Sequence, residues 1–257
     1  MSLVKTIENI DKINKENYNE DNIYLITQFY ISNNTERQKE ILYCLKKNIE
    51  LNLFTKIYLI NEREYSLTEM GLNEEENKNI QQIVFQKGER MKYIHSIALT
   101  KIKKLKGYII TANSDIFFDK SLLNIRKTSL SISKSFYALL RFEFNININN
   151  LNLDEYKLFG PRNDSQDTWI FHSNFLPSNI QALSCNFMLG QMGCDNSISF
   201  LFNNFGFKVY NEPYIIKTYH YHTIPLRTYT KENKIEPPYL FIKPIIRNNN
   251  LEIIKLK

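Results

Sequence analysis

Within Gly107-Tyr-Ile-Ile-Thr-Ala-Asn-Ser-Asp-Ile-Phe-Phe-Asp119 an unbroken apolar run gives way to Asn113, Asp115 and Asp119. Tyr108-Ile109-Ile110 has the character of a strand buried on both faces of a parallel sheet. Such a sheet needs helices over both faces, and it opens its ligand site beyond the carboxyl ends of its strands. Asn113 and Asp115 lie two residues apart, so extended backbone turns both side chains to one side. That arrangement suits a hard divalent cation, which takes oxygens from one or two side chains and completes its shell with substrate phosphates. The competing reading is that Asp115 caps the following turn.

The order of elements around this strand extends the constraint. Asn22–Tyr30 reads as a first strand, and Thr35 as the N-cap of a helix whose Ile41, Leu45, Ile49 and Leu53 recur at four-residue spacing. Lys56–Ile60 and Ile80–Gln86 read as the next two strands. Met91, Ile94, Ala98, Ile102 and Leu105 then mark one face of a helix over 90–106. Strand, helix, strand, strand, helix, strand predicts an α/β fold with a mainly parallel central sheet flanked by helices. Further on, Ser135–Phe142, Thr168–Phe171, Lys208–Tyr210 and Tyr214–His220 read as strands, 145–152 as a polar loop, and 196–205 as a helix. Residues 1–20 read as a polar leader, 21–230 as one domain, and 231–257 as a tail that packs back through 239–246. No internal repeat or interdomain linker is visible.

The 257 residues suffice for one full α/β core, and the net charge of +6 invites nucleic acid, anionic membranes or phosphorylated substrates as partners. The cations are scattered. Lys101, Lys103, Lys104 and Lys106 read as a solvated helix face, and Lys243, Arg247, Lys255 and Lys257 as a weak membrane-surface contact. No aromatic-and-basic stripe supports nucleic-acid binding. Cys44, Cys185 and Cys194 have no metal-ligand spacing and are odd in number, which points to a reducing compartment. No apolar run approaches the ~20 residues of a membrane span. A cytoplasmic protein is expected, in the host cytoplasm if the chain is viral.

Several motifs are absent. The sequence holds no Gly-x-Gly-x-x-Gly, no Walker loop, no Gly-x-Ser-x-Gly elbow and no His-Glu-x-x-His. With seven glycines in all, a nucleotide bound here must rely on side chains and a metal. Four segments remain: Asn113-Ser-Asp115; Phe159-Gly-Pro-Arg-Asn-Asp-Ser-Gln-Asp-Thr-Trp-Ile-Phe171; Leu189-Gly-Gln-Met-Gly-Cys-Asp-Asn196; and His220-Tyr-His222 followed by Arg227 and Tyr229. In order and spacing they resemble the GT-A fold glycosyltransferases that use sugar nucleotides, of the type found in large DNA viruses and some bacteria. The resemblance runs from about residue 22 to residue 229 and implies a single GT-A-like (Rossmann-like) domain.

The resemblance implies an enzyme that moves a sugar from a nucleoside diphosphate sugar to a glycan or other hydroxyl acceptor, with inversion. Asp115 and a late histidine would hold Mn²⁺ or Mg²⁺; His222 is favoured over His220, and a histidine tilts the preference towards Mn²⁺. Asn113 stands where the family's first acidic residue contacts metal and ribose. Asp195 is the candidate base, with a plain N-cap as its competing role. Asp167 would position a sugar. Trp169 reads as a sugar platform or as core, Arg141 as a contact to the donor or as a salt-bridge partner, and Arg90 as a contact to the diphosphate or base. Arg227 would close around the diphosphate. Two other functions stay open: a non-catalytic carbohydrate- or partner-binding module, kept alive by Asn113, and a sugar nucleotidyltransferase, which lacks its usual glycine-rich loop after the first strand.

Overall fold

The apolar runs pair into a seven-stranded sheet. In the computed structural model, which describes residues 22–144, 156–221, 233–247 and 253–254, the strands are β1 (Ile23–Thr27), β2 (Lys56–Ile60), β3 (Ile80–Ile83), β4 (Tyr108–Ala112), β5 (Ile116–Phe118), β6 (Ser135–Leu139), β7 (Phe142–Phe144), β8 (Lys157–Leu158), β9 (Thr168–His172), β10 (Lys208–Tyr210), β11 (Thr218–Tyr221), β12 (Ile246–Arg247) and β13 (Ile253–Ile254). The main sheet has the order β10-β6-β9-β4-β1-β2-β3. Every neighbouring pair is parallel except those made by β9, which runs against both β4 and β6. The α/β class with a mainly parallel sheet therefore holds. The stretch expected as one strand over 135–142 is two, because the chain leaves the main sheet after Leu139 and joins a smaller sheet, β5-β11-β7-β8, at Phe142.

Helices cover both faces. Helix α1 (Thr35–Glu50) lies over one face, its Ile41 and Leu45 packed with Leu25, Leu59 and Ile110. Its N-cap is Asn34 rather than Thr35: the Asn34 side chain accepts from the Arg37 N–H. A short helix α2 (Glu74–Asn77) precedes β3. Helix α3 (Tyr93–Ile102) covers the other face with α4 (Asn179–Leu183) and α5 (Cys194–Asn204).

Helix α3 corrects the sequence reading of its inner face. Of the expected face Met91 and Leu105 are buried and Ile94 packs partly against the same core, but Ile102 is 67% exposed, and Tyr93, His95, Ser96, Ile97, Leu99 and Thr100 are the buried residues of the helix. Hydrophobicity alone misses this because the buried hydroxyls are paired. Thr111 donates to Ser96 Oγ at 2.7 Å, and Thr100 donates to the Ser96 carbonyl at 2.8 Å. A hydroxyl satisfied in this way is buried without the usual penalty.

Among the described residues no helix is long and apolar enough to cross a membrane. All three cysteines are free and buried. The leader, the 145–152 loop, His222, Arg227, Lys255 and Lys257 lie outside the described residues.

Candidate active site

Strand register assembles the site at the carboxyl ends of β1 and β4. Because β9 is antiparallel, its first residues sit beside the last residues of β4: Ala112 pairs with Thr168, and the Asn113 N–H donates to the Asp167 carbonyl at 3.1 Å. In the smaller sheet His220 pairs with Ile116 on one side and Glu143 on the other. That register fixes His220 against Asp115. Arg37 arrives from the first turn of α1, just past the end of β1.

The result is a continuous chain of polar contacts. Asp115 Oδ2 accepts from Arg37 Nη1 at 2.8 Å and lies 3.1 Å from His220 Nε2. His220 Nδ1 is 3.1 Å from Glu143 Oε2, and Glu143 Oε1 accepts from Arg141 Nε at 2.7 Å. Arg141 Nη1 reaches Asp167 Oδ2 at 2.6 Å, and Asp167 Oδ1 accepts from Asn113 Nδ2 at 2.9 Å. Arg37 also contacts Glu40 at 2.9 Å and Tyr30 Oη at 3.3 Å.

Burial pushes the Asp115 carboxyl up, yet His220 and Arg37 outweigh it and hold the group well below the usual carboxylate range. Burial lowers His220, but Asp115 and Glu143 raise it to about 9. A buried cluster of this kind is a weak source of stability, since desolvation offsets most of the attraction. Its presence points to chemistry.

The cluster lines a cleft of about 920 Å³ that also takes in Gln28, Arg90, Phe159, Asp195, Asn196 and Tyr239. Asp195 lies in the first turn of α5, where its charge is favoured by the helix dipole. It is not the N-cap. Gly193 holds that position without a side-chain bond, and Asp195 Oδ2 instead accepts from the Gln166 N–H at 3.2 Å. Cys194 Sγ donates to the other oxygen at 2.9 Å. Burial, followed by the negative charge of Asp167, raises the Asp195 carboxyl to about 6. Three buried oxygens of cleft residues have no hydrogen-bond partner among the described residues: Asp115 Oδ1, Gln166 Oε1 and Asn196 Oδ1. Unpaired buried acceptors are costly, so each is a position where a ligand donor or a cation is favoured.

Of the residues singled out in the sequence, Asn113, Asp115, Asp167, Asp195, Arg90 and Arg141 all line this cleft. Arg90 is exposed on its wall, whereas Arg141 is held by Asp167 and Glu143. Trp169 is not there. It is 1% exposed and meets Tyr93 edge-on at 4.8 Å, because its side chain points from β9 to the α3–α5 face. Trp169→Ala should therefore cost about 3–5 kcal/mol in a denaturant melt, and Trp169→Phe much less, since the indole Nε1 is itself unpartnered.

Arg37, Glu40 and Glu143 were not read from the sequence. Glu143 carries a faint signal: in Phe142-Glu-Phe144 it alternates with two apolar neighbours, as His220 does between Tyr219 and Tyr221.

The wall opposite the cluster is closed by a returning segment. The Ile235 N–H donates to the Met192 carbonyl at 2.9 Å, and the Leu240 N–H to the Asn196 carbonyl at 3.0 Å. This approach requires Gly193. Its φ is +84°, and a Cβ would lie 2.8 Å from the Tyr239 hydroxyl. Gly193→Ala should lower stability by about 1–3 kcal/mol through left-handed strain, with Tyr239 displaced; a urea melt and intrinsic tyrosine fluorescence check it.

No family model and none of the curated proteins matches the sequence. Solved structures with a similar arrangement include GalNAc-T7 with UDP, GalNAc and Mn²⁺, at 9% identity and a TM-score of 0.49, covering 79% of this chain and 44% of that one. Mannosyltransferase PcManGT from Pyrobaculum calidifontis, with GDP-Man and Mn²⁺, is 11% identical with a TM-score of 0.48, covering 88% and 66%. A 4-diphosphocytidyl-2C-methyl-D-erythritol synthase from Anaerococcus prevotii is 13% identical with a TM-score of 0.42, covering 83% and 92%. The chain thus spans less than two thirds of the first two proteins. At such identities the likeness concerns the fold alone.

Proposed function

We propose that the protein is a glycosyltransferase that moves a sugar from a nucleoside diphosphate sugar to a hydroxyl acceptor, with inversion. The observation that carries this reading is one cleft holding two carboxylates with opposed properties. Asp115 is locked in its charged form, and Asp195 is raised to about 6. Carboxylates pushed apart in this way divide into a charge-holding group and a proton-accepting one.

Asp195 accepts the proton of the acceptor hydroxyl as that oxygen bonds to the anomeric carbon. The bond from that carbon to the diphosphate oxygen breaks, and its electron pair leaves with the diphosphate. Asp167, with Gln166 and Asn196, offers acceptors for sugar hydroxyls. Arg90 is an exposed cation of the wall, as are Arg162 and Lys234, and suits the departing diphosphate. Arg227 would join it from outside the described residues.

Among the described residues no cluster of three His, Cys, Asp or Glu side chains forms a closed metal cage. The donor set nevertheless fits an ion that shares its shell with phosphates. Asp115 Oδ1 is buried and unpartnered, and His220 sits beside Asp115 with Glu143 behind its other nitrogen. A carboxylate backing a histidine is a common support for a metal ligand. Asp115 and His220 would hold Mn²⁺ or Mg²⁺, which supplies positive charge for the leaving diphosphate. In this reading His220 is the histidine ligand, and His222, the one favoured from the sequence, lies outside the described residues.

One observation favours a second reading. Arg37 already neutralises Asp115, as a non-catalytic carbohydrate- or partner-binding module would require. Incubation with a panel of sugar nucleotides separates the two. Mn²⁺-dependent release of the nucleoside diphosphate from one donor class supports the transferase. No release from any donor, by folded protein, supports the binding module.

A further inference from the structure

The end of the molecule opposite the cleft has a composition that the cleft does not explain. Four of the eight exposed large hydrophobic side chains among the described residues lie there: Ile102 at 67%, Ile132 at 81%, Ile180 at 81% and Leu183 at 66%. Single exposed aliphatic residues are ordinary; a gathering of them marks an interaction surface.

Their segments are joined to one another. Lys101 Nζ donates to Asn179 Oδ1 at 2.9 Å, beside Ile180. The Gly107 N–H donates to Ser173 Oγ at 2.9 Å, and Asn174 Nδ2 reaches the Ser131 carbonyl at 3.4 Å, beside Ile132. The Lys208 N–H donates to the Lys134 carbonyl at 2.8 Å. These positions lie at the starts of the parallel strands β4, β6 and β10 and at the end of the antiparallel β9. The cleft lies at the other end of the same strands.

Among the described residues, the part of this end built around β4, β6, β9 and β10 carries charge of one sign, while Glu50 closes α1 on the other side of the sheet, paired with Lys47. Lys103, Lys104, Lys106, Lys134 and Lys208 are exposed on it. No Asp or Glu occurs at 90–114, 120–142, 168–194 or 196–211, the stretches that build it. The acidic Glu74, Glu75 and Glu76 belong to α2, at the far β3 edge.

We propose that this face docks the protein on an anionic lipid bilayer, with Ile102, Ile132, Ile180 and Leu183 entering the headgroup region and the lysines facing acidic lipids. Aliphatic tips ringed by lysines are the pattern of interfacial binding. A second copy of the chain is disfavoured, because a two-fold contact would press lysine on lysine with no carboxylate between them. Nucleic acid is disfavoured because the tips are aliphatic and offer no ring for stacking. An acidic protein would need a complementary concave surface for the protruding tips, whereas headgroups accept them without one. Docking in this orientation turns the cleft away from the bilayer, towards acceptors in solution. The lysines that read as a solvated helix face in the sequence become the binding residues.

Co-sedimentation of the full chain with phosphatidylcholine vesicles, with and without phosphatidylserine, tests this. Binding is expected only with phosphatidylserine, weakening as salt shortens the screening length. Lys103→Glu/Lys104→Glu should weaken it by at least ~25-fold, at about fivefold per lysine removed. Ile180→Ser/Leu183→Ser should weaken it by about tenfold or more. Lys39→Glu/Lys46→Glu makes the same charge change on α1, over the opposite face of the sheet, and should change binding by no more than about twofold. All three variants alter exposed or half-exposed residues and should keep the native melting temperature. Absence of binding to phosphatidylserine vesicles at low salt overturns the proposal. So does an equal loss in the α1 variant, or a dimer in light scattering that Ile180→Ser/Leu183→Ser abolishes.

Discussion

Asp195→Asn is expected to slow sugar transfer by about 10²–10⁴-fold and, at the same time, to raise the melting temperature at neutral pH. The two effects have one cause. Burial and the charge of Asp167 raise this carboxyl from 3.8 to about 6, so folding penalises its ionised form. A group whose pKa rises on folding is neutral in both states below its unfolded value and carries no penalty there. As pH climbs from about 4 to about 6 the unfolded chain ionises first, and the native state is disfavoured by the difference. Above about 6 the penalty is complete, at roughly 1–3 kcal/mol for a shift of this size. Asparagine never ionises and removes it.

A gain of several degrees is therefore expected at pH 7.5, at about 2–4 °C per kcal/mol for a domain of this size, and little at pH 4. If the proposed transfer holds, kcat of the unaltered protein should rise with pH through about 6 and then level, as the base becomes available. A variant that kept its rate within a few-fold would remove Asp195 from the chemistry. One that lost both rate and stability would show a structural role instead.

The sequence carried those parts of the site that lie close together along the chain. Asn113 and Asp115 follow an apolar strand directly, and His220 alternates with tyrosines, so strand periodicity alone places them on a ligand-facing edge. It could not place His220 against Asp115, because that contact depends on β11 pairing with both β5 and β7. Glu143 and Arg37 were invisible for the same reason. Each becomes a site residue only through the register of a second sheet or the angle of a helix.

Favouring His222 over His220 leans on the residues that follow it along the chain; the contact of His220 with Asp115 is made across the sheet, and His222 lies outside the described residues. Trp169 shows the converse limit. Its neighbours Gln166 and Asp167 do reach the cleft, but β9 turns Trp169 inward. Helix α3 failed at the level of one face, since paired hydroxyls at Ser96 and Thr100 fill places that hydrophobicity reserves for aliphatic residues.

Asp115→Ala is expected to have the opposite stability sign from Asp195→Asn while being equally damaging to activity. Asp115 accepts from Arg37 at 2.8 Å and lies 3.1 Å from His220, and both partners are largely buried. Removing it leaves each cation with one carboxylate, Glu40 for Arg37 and Glu143 for His220. Loss of one member of a buried ion pair costs about 3–5 kcal/mol when the charge left behind has no other partner; with Glu40 and Glu143 in place the cost should not exceed about 3 kcal/mol, a fall in melting temperature of at most roughly 6–12 °C.

The same change removes the anion that would share a cation with the donor diphosphate. Native protein at 100 times the dissociation constant of a metal–nucleotide complex should gain about 2.7 kcal/mol, and that shift should vanish in the variant. Asp115→Asn isolates the second effect. It keeps the shape and one hydrogen-bond acceptor, so it should lose less stability while still losing the metal-dependent shift. A metal-dependent shift that survived in Asp115→Asn would transfer the cation to other ligands and leave Arg37–Asp115 as a structural pair. A nucleotide shift indifferent to metal in the native protein would instead assign the diphosphate's counter-charge to Arg37 and Arg90, with the fold performing the same chemistry through guanidinium groups.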